Sequence, residues 1–146
     1  MRRVRDYIHK DLSCVNENSS LRRVINTMKL HRISAIPVVD VMGNYIGCIS
    51  EKDILNAAVP SYMKSIYNTS FMAHLDQITS NLQDILNEKA MQYVDNKYPY
   101  VRPDDSMSYA ADLLYRTKLR MLPVLEGETL IGLITRIEIL SASLNE

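Results

Sequence analysis

Ile33-Ser34-Ala35-Ile36-Pro37-Val38-Val39-Asp40, followed after a short turn by Ile46-Gly47-Cys48-Ile49-Ser50-Glu51-Lys52-Asp53-Ile54-Leu55, is written a second time further along the chain. The second version is Leu119-Arg120-Met121-Leu122-Pro123-Val124-Leu125, then Ile131-Gly132-Leu133-Ile134-Thr135-Arg136-Ile137-Glu138-Ile139-Leu140. Displaced by 86 positions, Val15 meets Val101, Ser20 meets Ser106, Pro37 meets Pro123 and Val38 meets Val124. One residue is then lost, and at 85 positions Ile46-Gly47 meets Ile131-Gly132, Ile49 meets Ile134, and Ile54-Leu55 meets Ile139-Leu140. A self-similar period of this kind marks structural units that bury their apolar faces against one another.

The order of elements is the same in both copies. Each opens with a short extended segment, Leu12 to Val15 and Tyr98 to Val101. A cluster of short polar residues follows, Glu17-Asn18-Ser19-Ser20 and Asp104-Asp105-Ser106; such side chains accept hydrogen bonds from the free amides of a helix's first turn. Leu21, Val24, Ile25 and Met28 then recur at helical spacing, as do Met107, Ala110, Ala111 and Leu114. Two apolar strands come next, Ala35 to Val39 and Tyr45 to Ser50 around Gly43-Asn44, repeated as Met121 to Leu125 and Leu130 to Thr135 around Gly127. A closing helix begins at Glu51 and again at Arg136. The predicted fold is therefore mixed α/β: two pseudo-symmetric β-α-β-β-α repeats, residues 1–59 and 90–146, packed as one module. A unit of about 50 residues cannot cover both faces of its own small sheet, whereas two together can.

Between the copies, residues 60–89 form an insertion carrying Leu75, Ile78, Leu82, Ile85 and Leu86 on one helical face. A helix packed on the edge of the module is the plainer reading of it; a lid over a pocket or a dimer contact is the sharper one.

Lys plus Arg number 17 and Asp plus Glu 17, a balance that argues against a duplex-binding surface, whose affinity comes from neutralised phosphates. No stretch approaches the ~20 apolar residues of a membrane span, and the basic start, Met1-Arg2-Arg3-Val4-Arg5, is not followed by the apolar run of a signal peptide. A soluble cytoplasmic protein is expected. Cys14 and Cys48 lack metal-site spacing and read as two reduced thiols. His9, His31 and His74 are dispersed, with no Ser or Cys nucleophile tied to them; His31 falls at the end of the first helix, where a cation is favourable. Four glycines leave no phosphate loop of the Gly-rich kinds. These absences point away from catalysis and from a metal.

The two quoted stretches resemble the CBS-domain pattern, in which an apolar-Pro-Val strand precedes Gly-apolar-apolar-Ser/Thr-x-x-Asp. The resemblance covers nearly the whole chain outside the insertion. It implies a regulatory module that binds AMP, ADP, ATP or S-adenosylmethionine in clefts between repeats, with the adenine nucleotide as regulatory ligand rather than as a cofactor of catalysis. It also implies a homodimer. No effector domain is recognisable beside the repeats and insertion, so the chain is expected either to act on a separate regulated protein or to be a fragment of a larger chain. The nucleotide-contacting positions carried over are Leu12, Ser13, Ser34, Ala35, Ile36, Pro37, Ser50 and Asp53 in the first copy, and Arg120, Met121, Leu122, Pro123, Thr135, Arg136 and Glu138 in the second. A ligand-free assembly domain with degenerate pockets is the alternative.

Physical reasons exist for these residue types. Pro37 biases Ile36 toward extended backbone, presenting amide and carbonyl groups to a base. Asp53, in the first turn of a helix, is placed either to accept bonds from a ribose diol or merely to complement the helix dipole. Ser50 and Thr135 are N-caps that also suit a phosphate. Glu138 stands where the pattern has Asp, one methylene longer, while Arg120 and Arg136 add groups suited to bidentate phosphate contact; Lys118 reads as a surface charge. The resulting expectation is asymmetric: the first repeat grips the adenosine through Ile36-Pro37 and Asp53, and the phosphates point toward Arg136 and Arg120 of the second.

Overall fold

The computed structural model describes residues 2–10, 13–59 and 75–144. In the first repeat, strand β1 (Val15–Asn16) leads into helix α1 (Leu21–His31), strands β2 (Ala35–Val39) and β3 (Tyr45–Ser50), and helix α2 (Glu51–Ala58). The insertion contributes helix α3 (Leu75–Ile85), and the second repeat contains helix α4 (Met107–Thr117), strands β4 (Met121–Glu126) and β5 (Thr129–Thr135), and helix α5 (Arg136–Ser143). Leu12, part of the predicted first strand, lies outside the described residues.

The helices begin where their caps dictate. Ser20 Oγ accepts from the Arg23 amide at 3.1 Å and Ser106 Oγ from the Tyr109 amide at 3.0 Å, each satisfying a donor that the first turn leaves free. The buried stripes are Leu21, Val24 and Met28 on α1, and Met107, Ala110 and Leu114 on α4, as their spacing predicts.

The first sheet has the order β1-β2-β3, with β1 parallel and β3 antiparallel to β2. The second has β4 antiparallel to β5. Its third strand is reduced to a single parallel bridge, Val101 against Val124, where Val101 donates to Pro123 O at 2.9 Å and accepts from Leu125 at 3.0 Å. The predicted strand from Tyr98 is shorter than expected because Pro99 and Pro103 have no amide to extend the ladder. The same irregularity recurs in both hairpins, between Val38 and Val39 and between Val124 and Leu125.

The repeats exchange their leading segments. Residues before β1 cross to the second repeat: Val4 is buried among Val101, Leu122, Val124 and Ile134, and His9 pairs with Leu133 through reciprocal bonds of 2.9 and 3.0 Å. In return, residues after the insertion cross to the first repeat: Ala90 packs with Val24 and Ile49, and Asp95 pairs with Cys48 through bonds of 2.8 and 3.2 Å. This crossing explains why glycine recurs as Gly47 and Gly132. A Cβ at Gly47 would stand 2.5 Å from Asp95 O, and one at Gly132 only 2.0 Å from Ile8 Cγ2. Only glycine admits the Asp95 backbone that close to Gly47 and the Ile8 side chain that close to Gly132.

Helix α3 packs on α2 through Ile78 and Leu82 against Ala58 and Val59, and Asn81 Nδ2 donates to the Ala58 carbonyl at 2.8 Å. One amphipathic face of the insertion thereby covers the outer helical surface of the first repeat.

Candidate functional site

Where the two repeats meet, Ala35 and Met121 open β2 and β4 side by side, with Cys48 and Leu133 completing an apolar layer. On one side of this layer is a cleft of about 420 Å³, within the usual range for small-ligand sites. Ala35, Met121 and Leu133 form its floor. Its first-repeat wall is Ser13, the end of α1 with His31 and Arg32, and Ile33-Ser34; its second-repeat wall is Arg120, Thr135, Ile137 and Glu138. His9, delivered by the crossing segment, closes one end.

Local structure explains each side chain. Arg32 is the C-cap of α1 and adopts the left-handed conformation, φ 52° and ψ 46°, which turns the chain sharply into β2. Its amide and that of Ile33 donate to Lys29 and Met28 carbonyls, satisfying the helix end. Glu138 stands at the third position of α5, where Oε1 accepts from the Thr135 amide and the Thr135 hydroxyl, both at 2.9 Å. This bonding holds the carboxylate at the mouth of the cleft and leaves Oε2 outside the cap. Two arginines and two histidines thus face one carboxylate in a chain whose formal net charge is zero, so the cleft suits an anion with an apolar, flat body.

Seven of the carried-over positions converge here: Ser13, Ser34, Ala35, Arg120, Met121, Thr135 and Glu138. Ile36, Pro37, Leu122 and Pro123 do not line the cleft. Their side chains are fully buried, and those of Ile36 and Leu122 face the cores of their own repeats. Arg136 is a correction to the expectation. It lines a separate groove on the outer surface between α4 and α5, with Tyr115, Ile139 and Leu140. Successive helical residues are 100° apart, so if Glu138 faces the cleft, Arg136 two positions earlier faces away.

Asp53 and Ser50 also lie apart from this cleft. They close a capping box at the start of α2, Ser50 donating its amide to Asp53 Oδ2 at 3.0 Å and the Asp53 amide to Ser50 Oγ at 3.1 Å. Beside them the matching space on the other side of the apolar layer holds the Tyr98 ring, which is buried and donates its hydroxyl to the Met121 carbonyl at 2.8 Å. Asp53 and Arg136 therefore do not line one cleft, whereas the asymmetric arrangement expected from the sequence has them meet one ligand.

Sequence reasoning missed His9, His31 and Arg32 as cleft residues. The histidines were dismissed as dispersed because the crossing that brings His9 to β5 is a long-range pairing. For Arg32 a signal existed: displaced by 86 it meets Lys118, and both are non-glycine residues at positive φ.

The cysteines are free thiols. Burial pushes Cys48 up to about 12, and the Tyr45 hydroxyl lies 3.4 Å from its sulfur; Cys14 is raised by burial as well. Among the described residues no three His, Cys, Asp or Glu side chains gather as a metal site, and no helix is long and apolar enough to cross a membrane.

Two β-α-β-β-α repeats joined across an apolar layer, with a cleft between them, define a paired-repeat module. The family model for the CBS domain matches residues 4–60 and 90–145, and the chain belongs to that family. It is 28% identical over 151 residues to an uncharacterized protein of Methanocaldococcus jannaschii, covering 95% of this chain and 89% of that one. Inosine-5'-monophosphate dehydrogenase of the same organism is 24% identical over 136 residues, 92% of this chain but 22% of the enzyme. Among solved structures, the CBS domain of a CBS-domain-containing membrane protein from Sphaerobacter thermophilus superposes with a TM-score of 0.70 at 25% identity, over 97% of this chain and 87% of that one. CBSX2 in complex with AMP gives 0.72 at 21% identity, over 99% and 97%.

Proposed function

We propose that the cleft between the repeats binds an adenine nucleotide or a related adenosyl ligand, and that the module acts as a regulatory sensor without catalysing a reaction. The observation that carries this reading is the combination of an apolar floor (Ala35, Met121, Leu133) with Arg32 and Arg120 on facing walls and Glu138 at the mouth. A purine lies on the floor; the arginines meet phosphate oxygens; Glu138 Oε2 accepts from the ribose. The membership of the family and the fold shared with an AMP complex support the same assignment. The cleft holds no paired nucleophile and base and, among the described residues, no metal cluster, so the binding energy is available for regulation of a separate protein, or of another part of a longer chain.

A thermal-shift screen with AMP, ADP, ATP and S-adenosylmethionine tests the reading. A ligand at a hundred times its Kd stabilises by about 2.7 kcal/mol, roughly 5–10 °C for a chain of this size. A flat response to all four would overturn it in favour of assembly alone.

Assembly has an observation of its own, and we propose a homodimer alongside ligand binding. The outer surface of the second repeat exposes Tyr115 at 85%, Leu140 at 62% and Leu144 at 83% around the groove between α4 and α5. On the corresponding surface of the first repeat, Leu82 of α3 lines one side of the groove. A second copy meeting this chain through its own α4–α5 surface would bury what α3 buries elsewhere.

A further inference from the structure

The duplication generates two clefts, one on each side of the apolar layer, and among the described residues one is open while the other is filled. The residues that correspond to the open cleft's lining can be read from the repeat: Glu138 corresponds to Asp53, His9 to Asp95, Leu133 to Cys48, and Ala35 and Met121 to each other. Three of these counterparts, Met121, Ala35 and Cys48, surround one side chain. Tyr98 packs against Met121, Ala35 and Cys48 in a single apolar cluster, and it is 5% exposed. Burial first, then Cys48, Asp53 and Asp95, hold its phenol above the ordinary tyrosine range, and its amide donates to the Asp95 carbonyl at 3.4 Å. Its hydroxyl donates to the Met121 carbonyl at 2.8 Å, so a planar ring with one polar edge group already lies against this strand's backbone.

We propose that Tyr98 is a built-in occupant of the second cleft, standing where an aromatic base would lie, so that the module takes one adenosyl ligand per chain. The residue at the corresponding position of the first repeat is Leu12, which has neither the ring nor the hydroxyl. The chemistry follows directly. A phenol fills the volume of a base, satisfies the strand carbonyl that a base amine would use, and costs no binding entropy because it is tethered.

The inference rests on the nucleotide reading for the identity of the ligand, and adenosine is the suitable probe because Asp53 and Asp95 would repel a phosphate. Isothermal titration of the full chain with adenosine, and a crystal soaked in it, compare wild type with Tyr98→Leu and Tyr98→Phe. Expected is one site for wild type and Tyr98→Phe, and one more site for Tyr98→Leu, removed again by adding Asp53→Ala. Two sites in wild type would overturn the inference, even if Tyr98→Leu does not fold. So would a folded Tyr98→Leu, verified by circular dichroism, whose site count equals that of wild type. If wild type binds no adenosine, AMP or ATP, the nucleotide reading falls. The inference is then judged on Tyr98→Leu alone: a newly gained site upholds it and none overturns it.

Discussion

Replacing Arg32 with glycine should make this protein more stable and worse at binding, a divergence that separates a ligand contact from a structural residue. Arg32 holds φ 52° and ψ 46° at the end of α1. An L-residue in that region costs roughly 1–2 kcal/mol, which glycine avoids, while the freer unfolded chain returns about 0.5–1 kcal/mol. A net gain of about 0.5–1 kcal/mol remains, or a rise in Tm of roughly 1–4 °C. Lost from the cleft is one charged hydrogen-bond donor, for which about 1.5 kcal/mol, the lower end for exposed groups, is appropriate; AMP affinity should fall roughly tenfold. The molecule supplies its own control. Lys118 caps α4 with φ 60° and ψ 21° but lines the outer groove instead of the cleft. Lys118→Gly should give the same stabilisation with AMP affinity unchanged. Differential scanning calorimetry and isothermal titration of the two variants decide the matter. Equal affinities in Arg32→Gly and Lys118→Gly would remove Arg32 from the site, and a fall in both melting temperatures would refute the backbone argument.

Further perturbations probe the other parts of the site. Glu138→Gln keeps an acceptor for the Thr135 amide, so Tm should change by less than the equivalent of about 1 kcal/mol, while AMP affinity measured by calorimetry drops about tenfold. Gly132→Ala forces a methyl to within 2.0 Å of Ile8 Cγ2. Overpacking of about 1–3 kcal/mol should appear as a lower urea midpoint, together with weaker AMP binding as His9 shifts. At pH 8, iodoacetamide should label Cys14 well before Cys48, followed by peptide mass spectrometry, because burial holds Cys48 up to about 12. The sign is that of a folded-state value raised above the ordinary 9.0: the stability tied to the protonated thiol is intact below about pH 9 and is lost as pH rises toward about 12. Leu140→Glu should convert the proposed dimer to monomer in light-scattering chromatography without altering the secondary structure.

The elements were legible because they follow from spacing and caps. The stripe Leu21-Val24-Met28 and the N-cap Ser20 fix α1 from local information, and the same signals in the second copy fix α4. The recurrence of Gly47 and Gly132 was visible, but its cause was not, since the segments that press on these glycines come from the opposite repeat. That exchange is what carries His9 into the cleft, and no local pattern around His9 announces it. Arg136 lies outside the cleft for a different reason. Conserving chemistry between neighbouring positions on a helix does not conserve direction: Arg136 and Glu138 lie about 200° apart around α5, so only one of them faces the cleft. Asp53 matched its motif and forms the predicted first-turn cap, yet the space beside it is decided by Tyr98, 45 residues further along the sequence.

Charge and shape agree with the proposal that the open cleft takes the ligand. The open cleft presents Arg32, Arg120, His9 and His31 against Glu138. Carried through the repeat, the counterparts of these five are Lys118, Ser34, Asp95, Thr117 and Asp53. The first set is cationic with one acid; the second has two acids and one lysine, and that lysine lines the outer groove. A phosphate entering the second cleft would meet Asp53 and Asp95 with little to offset them, and like charges in a site sheltered from water repel more strongly than on the surface. Removing Tyr98 would open room for a base but leave a field that rejects a nucleotide's anion. Steric filling and charge thus diverged in the same direction after duplication, which is the pattern expected when one half of a symmetric module is kept for binding and the other becomes part of its core.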